Sequence, residues 1–180
     1  MQVVHSLRKE IKIQNVVCTA DLRQKVDIAS FNEYAHLSSN LDLYRCGYVK
    51  DNTMVGRVTV FASGKLISVG TKSPEQAHAE LLEAGNILKK YKLIKSFKIE
   101  PLVRNIVARF DLEQKIHLEK LARIMPKSMY EPEQFPGLIF RIHGSCVALI
   151  FASGKGVLAG AKDIGELNRG LFEVEKWISS

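Results

Sequence analysis

The sequence is written twice. Moving 90 positions along the chain carries Asn15 to Asn105, Val17 to Val107, Asp21-Leu22 to Asp111-Leu112 and Gln24-Lys25 to Gln114-Lys115. The same offset turns Phe61-Ala-Ser-Gly-Lys65 into the identical Phe151-Ala-Ser-Gly-Lys155. It also maps Gly70, Lys72, Leu81 and Glu83 onto Gly160, Lys162, Leu171 and Glu173. Self-similarity of that extent decides the architecture before any local reading does. The unit occurs only twice and is longer than most solenoid repeats, which implies a pseudo-twofold molecule of two similar halves rather than an open array. The boundary falls between residues 1–96 and 97–180, within one continuous domain. A chain of 180 residues has room for that and excludes a large multidomain enzyme.

Both halves carry the same elements. Val16-Val17 and Ile106-Val107 lie in β-branched runs that read as strands, and Leu118, Leu121, Ala122 and Met125 fall at the spacing of a short helix. Pro101 has no N–H for a sheet ladder, so the strand carrying Asn105 starts no earlier than Leu102. The segment from Phe135 to Phe151 reads as a hairpin centred on His143-Gly144, in which facing residue numbers sum to 286 and Phe135 and Phe151 are cross-strand partners. Alternation puts Ile139, Arg141, Val147 and Leu149 on the face of that aromatic pair, with Leu138, Phe140, Cys146, Ala148 and Ile150 on the other. Ser63-Gly64 and Ser153-Gly154 turn the chain into a further strand. A long helix then closes each half, capped by Ser73-Pro74 with Gln76 and by Asp163 with Glu166. The stripes Ala77, Leu81, Ala84, Leu88 and Leu167, Leu171, Val174, Ile178 lay these helices on one side of an antiparallel sheet, an α+β arrangement. The other side is apolar and has no evident cover.

That open side needs an occupant. Loops or a second subunit would bury it, and the latter reading makes the free protein a homodimer. Alternatively it meets a ligand, and a net charge of +7 with a pI near 9.3 favours an anionic one, nucleic acid or an acidic membrane surface. No apolar run approaches the roughly 18 residues of a membrane span, and the first residues lack the pattern of a signal peptide. Cys18, Cys46 and Cys146 are odd in number, so a full disulfide framework is excluded and a reducing compartment follows. The protein is expected in the cytoplasm, or in the nucleus of a eukaryotic source.

Enzymatic constellations are missing. Gly154-Lys-Gly156 with Gly160 lacks the strand-turn-helix context of a dinucleotide fingerprint and is explained by the doubled Ser-Gly turn. His5, His36, His78, His117 and His143 show no metal-ligand spacing, and Ser145 beside His143 has no acid partner. Catalysis, a cofactor and a metal are therefore not expected. Lys89, Lys90, Lys92, Lys95 and Lys98 read as a solvated face. The functional classes left are a duplex-DNA binder, a sheet platform for single-stranded RNA, and a protein-interaction or small-ligand module. The glycine and aromatic signature of the usual RNA module is absent.

Three motifs resemble the TATA-box-binding protein family in its archaeal type: Ile13-Gln-Asn-Val-Val17, Tyr130-Glu-Pro-Glu-Gln-Phe-Pro-Gly-Leu-Ile-Phe-Arg141, and the doubled Phe-Ala-Ser-Gly-Lys followed by Gly-Thr-Lys or Gly-Ala-Lys. The resemblance covers the chain from about Lys12 to Trp177 and implies a saddle. A curved antiparallel sheet would sit on a widened, bent minor groove, with the helices on its convex side. It further implies a general initiation factor that binds A/T-rich promoter DNA and recruits transcription factor B, and through it RNA polymerase. Asn15 and Asn105 match the paired asparagines that donate to thymine O2 or adenine N3, Val17, Val107, Leu149 and Val157 are the apolar residues expected on the groove floor, and Val69 and Ala159 stand at two further minor-groove positions. The physical logic agrees, because a close-fitting apolar sheet with few donors excludes a G·C pair by clash and desolvation of the guanine amino group. Phe135 and Phe151 match one wedging pair, and Phe61 with Tyr44 the other. Lys50, Lys65, Arg141 and Lys155 match phosphate-holding positions, with Lys72 and Lys162 as weaker matches, and Glu131 and Glu133 match the acidic contact to transcription factor B.

The departures gather in the first half. Tyr44 replaces a phenylalanine, Arg45-Cys46 replaces the proline and glycine after it, and Thr59 stands where the second half has Leu149. Val69 and Ala159 replace threonines. A wedge containing a phenol pays for burying its hydroxyl, so the first half is expected either to kink DNA less sharply or to contact the backbone instead.

Overall fold

The computed structural model describes residues 11–142, 144 and 146–179. By contacts, residues 14–105 form one compact unit and the rest of the described chain the other. The first repeat runs β1 (Lys12–Asp21), a single 3-10 turn (Phe31–Glu33), β2 (Leu37–Ser39), β3 (Cys46–Val49), β4 (Arg57–Phe61), β5 (Lys65–Thr71) and α1 (Pro74–Lys90). The second runs β6 (Leu102–Asp111), α2 (Leu118–Ile124), β7 (Ser128–Met129), β8 (Gly137–Arg141), β9 (Val147–Phe151), β10 (Lys155–Ala161) and α3 (Ile164–Ile178). Strand order is β2-β3-β4-β5-β1 in the first and β6-β10-β9-β8-β7 in the second, so each repeat folds to the same antiparallel topology. As Pro101 requires, β6 begins at Leu102.

Alternation divides each sheet as the sequence implies. In the first repeat Val16, Cys18, Val58, Val60 and Leu66 are buried on the side of α1, whose Ala77, Leu81, Ala84 and Leu88 are buried as well and which packs on β4 and β5. Ile106, Ala108, Leu138, Ala148, Ile150 and Leu158 are buried likewise on the side of Leu167, Leu171 and Val174 of α3. Removing such side chains from water supplies roughly 1.5 to 3 kcal/mol each, the main force holding the helices down. Caps start both long helices where expected. Ser73 Oγ accepts from Gln76 N at 3.1 Å and Asp163 Oδ1 from Glu166 N at 2.7 Å. Gln76 and Glu166 reach back to the N–H of Lys72 and Lys162, one residue before the cap, at 2.9 and 2.8 Å.

One core position is filled in opposite ways. Ala20 faces Leu66 across β1 and β5, whereas Phe110 faces Gly156 across β6 and β10. A Cβ on Gly156 would stand 2.1 Å from the Phe110 ring, so the large residue has changed strands between the repeats.

Two expectations need correction. Facing residues of β8 and β9 sum to 288, not 286: Gly137 faces Phe151, Ile139 faces Leu149 and Arg141 faces Val147. Pro136 has no N–H to give a ladder, so β8 starts after it and Phe135 stays in the preceding turn. The hairpin therefore centres on Gly144, which takes φ 84°, and His143 and Ser145 lie outside the described residues. The face assignments survive, because a shift of two residues preserves which side each chain faces. The second difference is the short helix, present as α2 but reduced in the first repeat to the turn at Phe31. There Asn32 bonds both the N–H and the C=O of Ser39, and the Phe31 ring fills the space beside Gly47, where a Cβ would meet it at 2.3 Å.

Candidate nucleic-acid interface

The side of each sheet turned away from its long helix carries a row of half-exposed residues. In the first repeat these include Asn15, Val17, Tyr48, Thr59, Phe61 and Ile67, with Val69 37% exposed. In the second they include Asn105, Val107, Ile139, Val147, Leu149, Phe151, Val157 and Ala159. The groove-floor residues expected from the sequence thus share the open face of their own repeat.

Asn15 is oriented by the backbone. Its Oδ1 accepts the N–H of Gly70 at 2.8 Å, where β1 bulges between Val16 and Val17 and Gly70 takes φ 103°. With the carbonyl oxygen so occupied, the NH2 end is left as a donor on the open face.

The two aromatic pairs differ. Phe135 and Phe151 meet edge to face with ring centroids 5.8 Å apart, above Gly137. A Cβ on Gly137 would lie 2.8 Å from the Phe135 ring and 3.0 Å from that of Phe151, so the missing side chain lets the rings close. In the first repeat the residue across from Phe61 is Cys46, and Tyr44 is 60% exposed. Among the described residues, Tyr44 and Phe61 make no ring contact. A thiol fills the place where glycine admits the second ring.

The basic positions separate as well. Lys65, Arg141 and Lys155 are exposed. Lys50 is not free: its ammonium donates to the carbonyls of Met54, of Val55 at 2.9 Å and of Gly56 at 2.6 Å, using all three protons. The same loop is gripped from α1, where the buried Glu80 Oε1 accepts the N–H of Val55 at 2.7 Å and of Gly56 at 2.8 Å. Asp51 ties the near end, and bonds from the Thr53 hydroxyl and from the Thr53 and Met54 N–H groups hold its carboxyl below the usual range. Lys50 is thus a loop clamp where the sequence suggested a phosphate ligand. Lys72 is similarly engaged with the Gln14 carbonyl at 2.6 Å.

Glu131 and Glu133 are exposed in the turn between β7 and β8, where Gln134 and Phe135 both donate to the Glu131 carbonyl at 2.9 Å. The first repeat builds the same turn from Asn40 to Tyr44, with Leu43 and Tyr44 donating to Asn40.

Sequence reasoning missed Tyr48 and Arg57. The Arg57 guanidinium lies 4.8 Å over the Tyr48 ring, and the Cys46 thiol, bonded to the Tyr48 hydroxyl, pushes that phenol above its ordinary range. Comparing β3 and β4 with β8 and β9 would have found them, since the second repeat has Ile139 and Val147 there. Among the described residues, no group of three His, Cys, Asp or Glu side chains is placed to hold a metal ion and no helix is long and apolar enough to cross a membrane.

Known proteins resemble this chain in both sequence and fold. The family model described as transcription factor TFIID, or TATA-binding protein, matches residues 10–91 and again 100–179. A TATA-box-binding protein of Cenarchaeum symbiosum is 41% identical over 169 residues, 93% of each chain. One from Aeropyrum pernix is 42% identical over 86% of this chain and 77% of its own. The solved structure of the Methanococcus jannaschii TBP superposes with a TM-score of 0.83 at 29% identity, over 94% of this chain and 98% of that one. With both repeats matched and the fold shared along nearly its whole length, the chain belongs to the TATA-binding protein family.

Proposed function

We propose that this protein is a general transcription initiation factor that binds A/T-rich promoter duplex through the minor groove and bends it, each repeat reading half of the site. The observation that carries this reading is the half-exposed apolar row on the open face of each repeat, with the Asn15 amide fixed as a donor on that face. A·T pairs offer only acceptors in that groove, so an asparagine NH2 on that face suits them, while a guanine amino group set against Val17, Val107, Leu149 or Val157 meets only hydrocarbon. In this reading Asn105 does in the second repeat what Asn15 does in the first, and Val17, Val69, Val107, Leu149, Val157 and Ala159 fill the groove floor. Phe135 and Phe151 insert between bases and unstack them, and Phe61 with Tyr44 makes a weaker wedge. Lys65, Arg141 and Lys155 neutralise phosphates.

Glu131 and Glu133 serve a protein partner. Carboxylates beside a wedging phenylalanine repel nearby phosphates, so a basic surface such as that of transcription factor B accounts for them better than DNA does. That factor would bring RNA polymerase, placing the protein on chromosomal DNA in the cytoplasm. Off DNA, the open face is available to a second copy of the chain.

Mobility shift on an A/T-rich duplex, with energy transfer between its labelled ends, tests the reading. Binding with a bend, weakened by rising salt as counterion release demands, is the expected result. Equal affinity for a duplex of G·C pairs alone would overturn it.

A further inference from the structure

The open face is not equally apolar in the two repeats. Along β8, β9 and β10 the cross-strand rows read Ile139, Leu149, Val157 and then Arg141, Val147, Ala159. The matching rows on β3, β4 and β5 read Tyr48, Thr59, Ile67 and then Arg57, Val69. Three neighbouring hydrocarbon side chains of the second repeat are thus a phenol, a hydroxyl and a guanidinium in the first. Thr59 is half-exposed and its hydroxyl has no hydrogen-bond partner among the described residues. Tyr48 is held by Arg57, whose guanidinium lies 4.8 Å from the ring centre.

We infer that Tyr48 and Thr59 determine base specificity, by admitting a G·C pair into the half-site read by the first repeat while the second stays restricted to A·T. This rests on the minor-groove reading above. A G·C pair differs from A·T in that groove by one protruding donor, the guanine amino group. Against Ile139 and Leu149 that donor loses its water and gains nothing, so the pair is rejected. Against Tyr48 and Thr59 it meets hydroxyl oxygens whose lone pairs accept a hydrogen bond whatever their own protons do. Arg57 only donates, and both kinds of pair present acceptors there, so the guanidinium fixes the ring without choosing between bases. The two repeats therefore read different codes, and a site with G·C at one end sets the direction in which the protein lies.

Three duplexes test this in mobility shift: one of A·T pairs alone, one with a G·C pair in a single half-site, and one with G·C in both. The protein should bind the first two within about threefold of each other and the third at least about tenfold more weakly, a normal penalty for one rejected pair. Tyr48→Phe/Thr59→Val removes only the two oxygens and keeps the ring under Arg57. It should widen the ratio between the first and second duplexes by about tenfold. The reciprocal Ile139→Tyr/Leu149→Thr should recover about tenfold on the third duplex, and thermal melting checks that both variants fold. If neither the loss nor the gain appears in folded variants, the inference is overturned while the binding reading stands. If the unaltered protein fails to bind even the all-A·T duplex, the binding reading falls and takes the inference with it.

Discussion

Gly137 stands across the β8–β9 ladder from Phe151, and the Phe135 ring leans over it to make an edge-to-face contact at 5.8 Å. An aromatic wedge here depends on an absent side chain. Gly137→Ala should push the rings apart, lowering stability by about 1 to 3 kcal/mol through overpacking and reducing the DNA bend. Energy transfer across a labelled duplex reads the bend, and an unchanged efficiency would show that the rings act separately.

The first repeat supplies the converse. Phe135→Ala and Phe151→Ala should each reduce bending more than Tyr44→Ala, because Tyr44 is 60% exposed and, among the described residues, makes no ring contact with Phe61. A larger loss from Tyr44→Ala would show that DNA itself assembles the first pair.

Replacing Glu80 should loosen the loop between β3 and β4. Glu80→Ala leaves the N–H groups of Val55 and Gly56 without their acceptor, which should cost about 2 to 4 kcal/mol in thermal or urea unfolding. Faster amide exchange confined to those two residues would locate the effect, and an unchanged melting temperature would argue that water replaces the carboxylate without loss.

Charge reversal at Glu131 and Glu133 should leave the DNA complex intact or tighter, by removing repulsion from phosphates, and should prevent transcription factor B from joining it. Normal recruitment by the reversed protein would refute the assignment of this turn.

Burial pushes the Cys18 and Cys146 thiols above their ordinary range. A group raised in the folded state supports folding below its unfolded pKa and loses that support as pH rises. Stability should therefore decline above about pH 8.5, where unfolded thiols ionise first, and Cys18→Ala/Cys146→Ala should flatten that decline. An alkaline limb of the same slope in the double variant would assign it to other groups.

The repeat made much of the fold readable, because identical residues at one offset must serve the same backbone. Asn15 and Asn105 could be placed on equivalent strands, and the doubled Phe-Ala-Ser-Gly-Lys at equivalent turns, without coordinates. The loop contacts of Lys50 could not be read from the sequence. Whether its ammonium faces outward depends on a loop folding back on it and on Glu80, which sits 24 residues beyond Gly56 in the sequence. The β8–β9 register failed for a similar reason. Alternation fixes faces but not which of two registers, two residues apart, is used, and the choice lay with Pro136. Arg57 over Tyr48 escaped because each residue alone looks like an ordinary surface side chain.

The exchange of Ala20 and Leu66 for Phe110 and Gly156 bears on how the two repeats can diverge. Each pair fills its space only as a pair, so copying one residue across the duplication gives either a collision, as with leucine at position 156 under Phe110, or a void, as with alanine at 110 beside glycine. Recombination between the duplicated segments is penalised unless it moves both residues together. Such coupled steps make the asymmetry of an ancestral duplication difficult to undo, and they leave the exposed faces free to acquire separate chemistries over cores that no longer exchange parts.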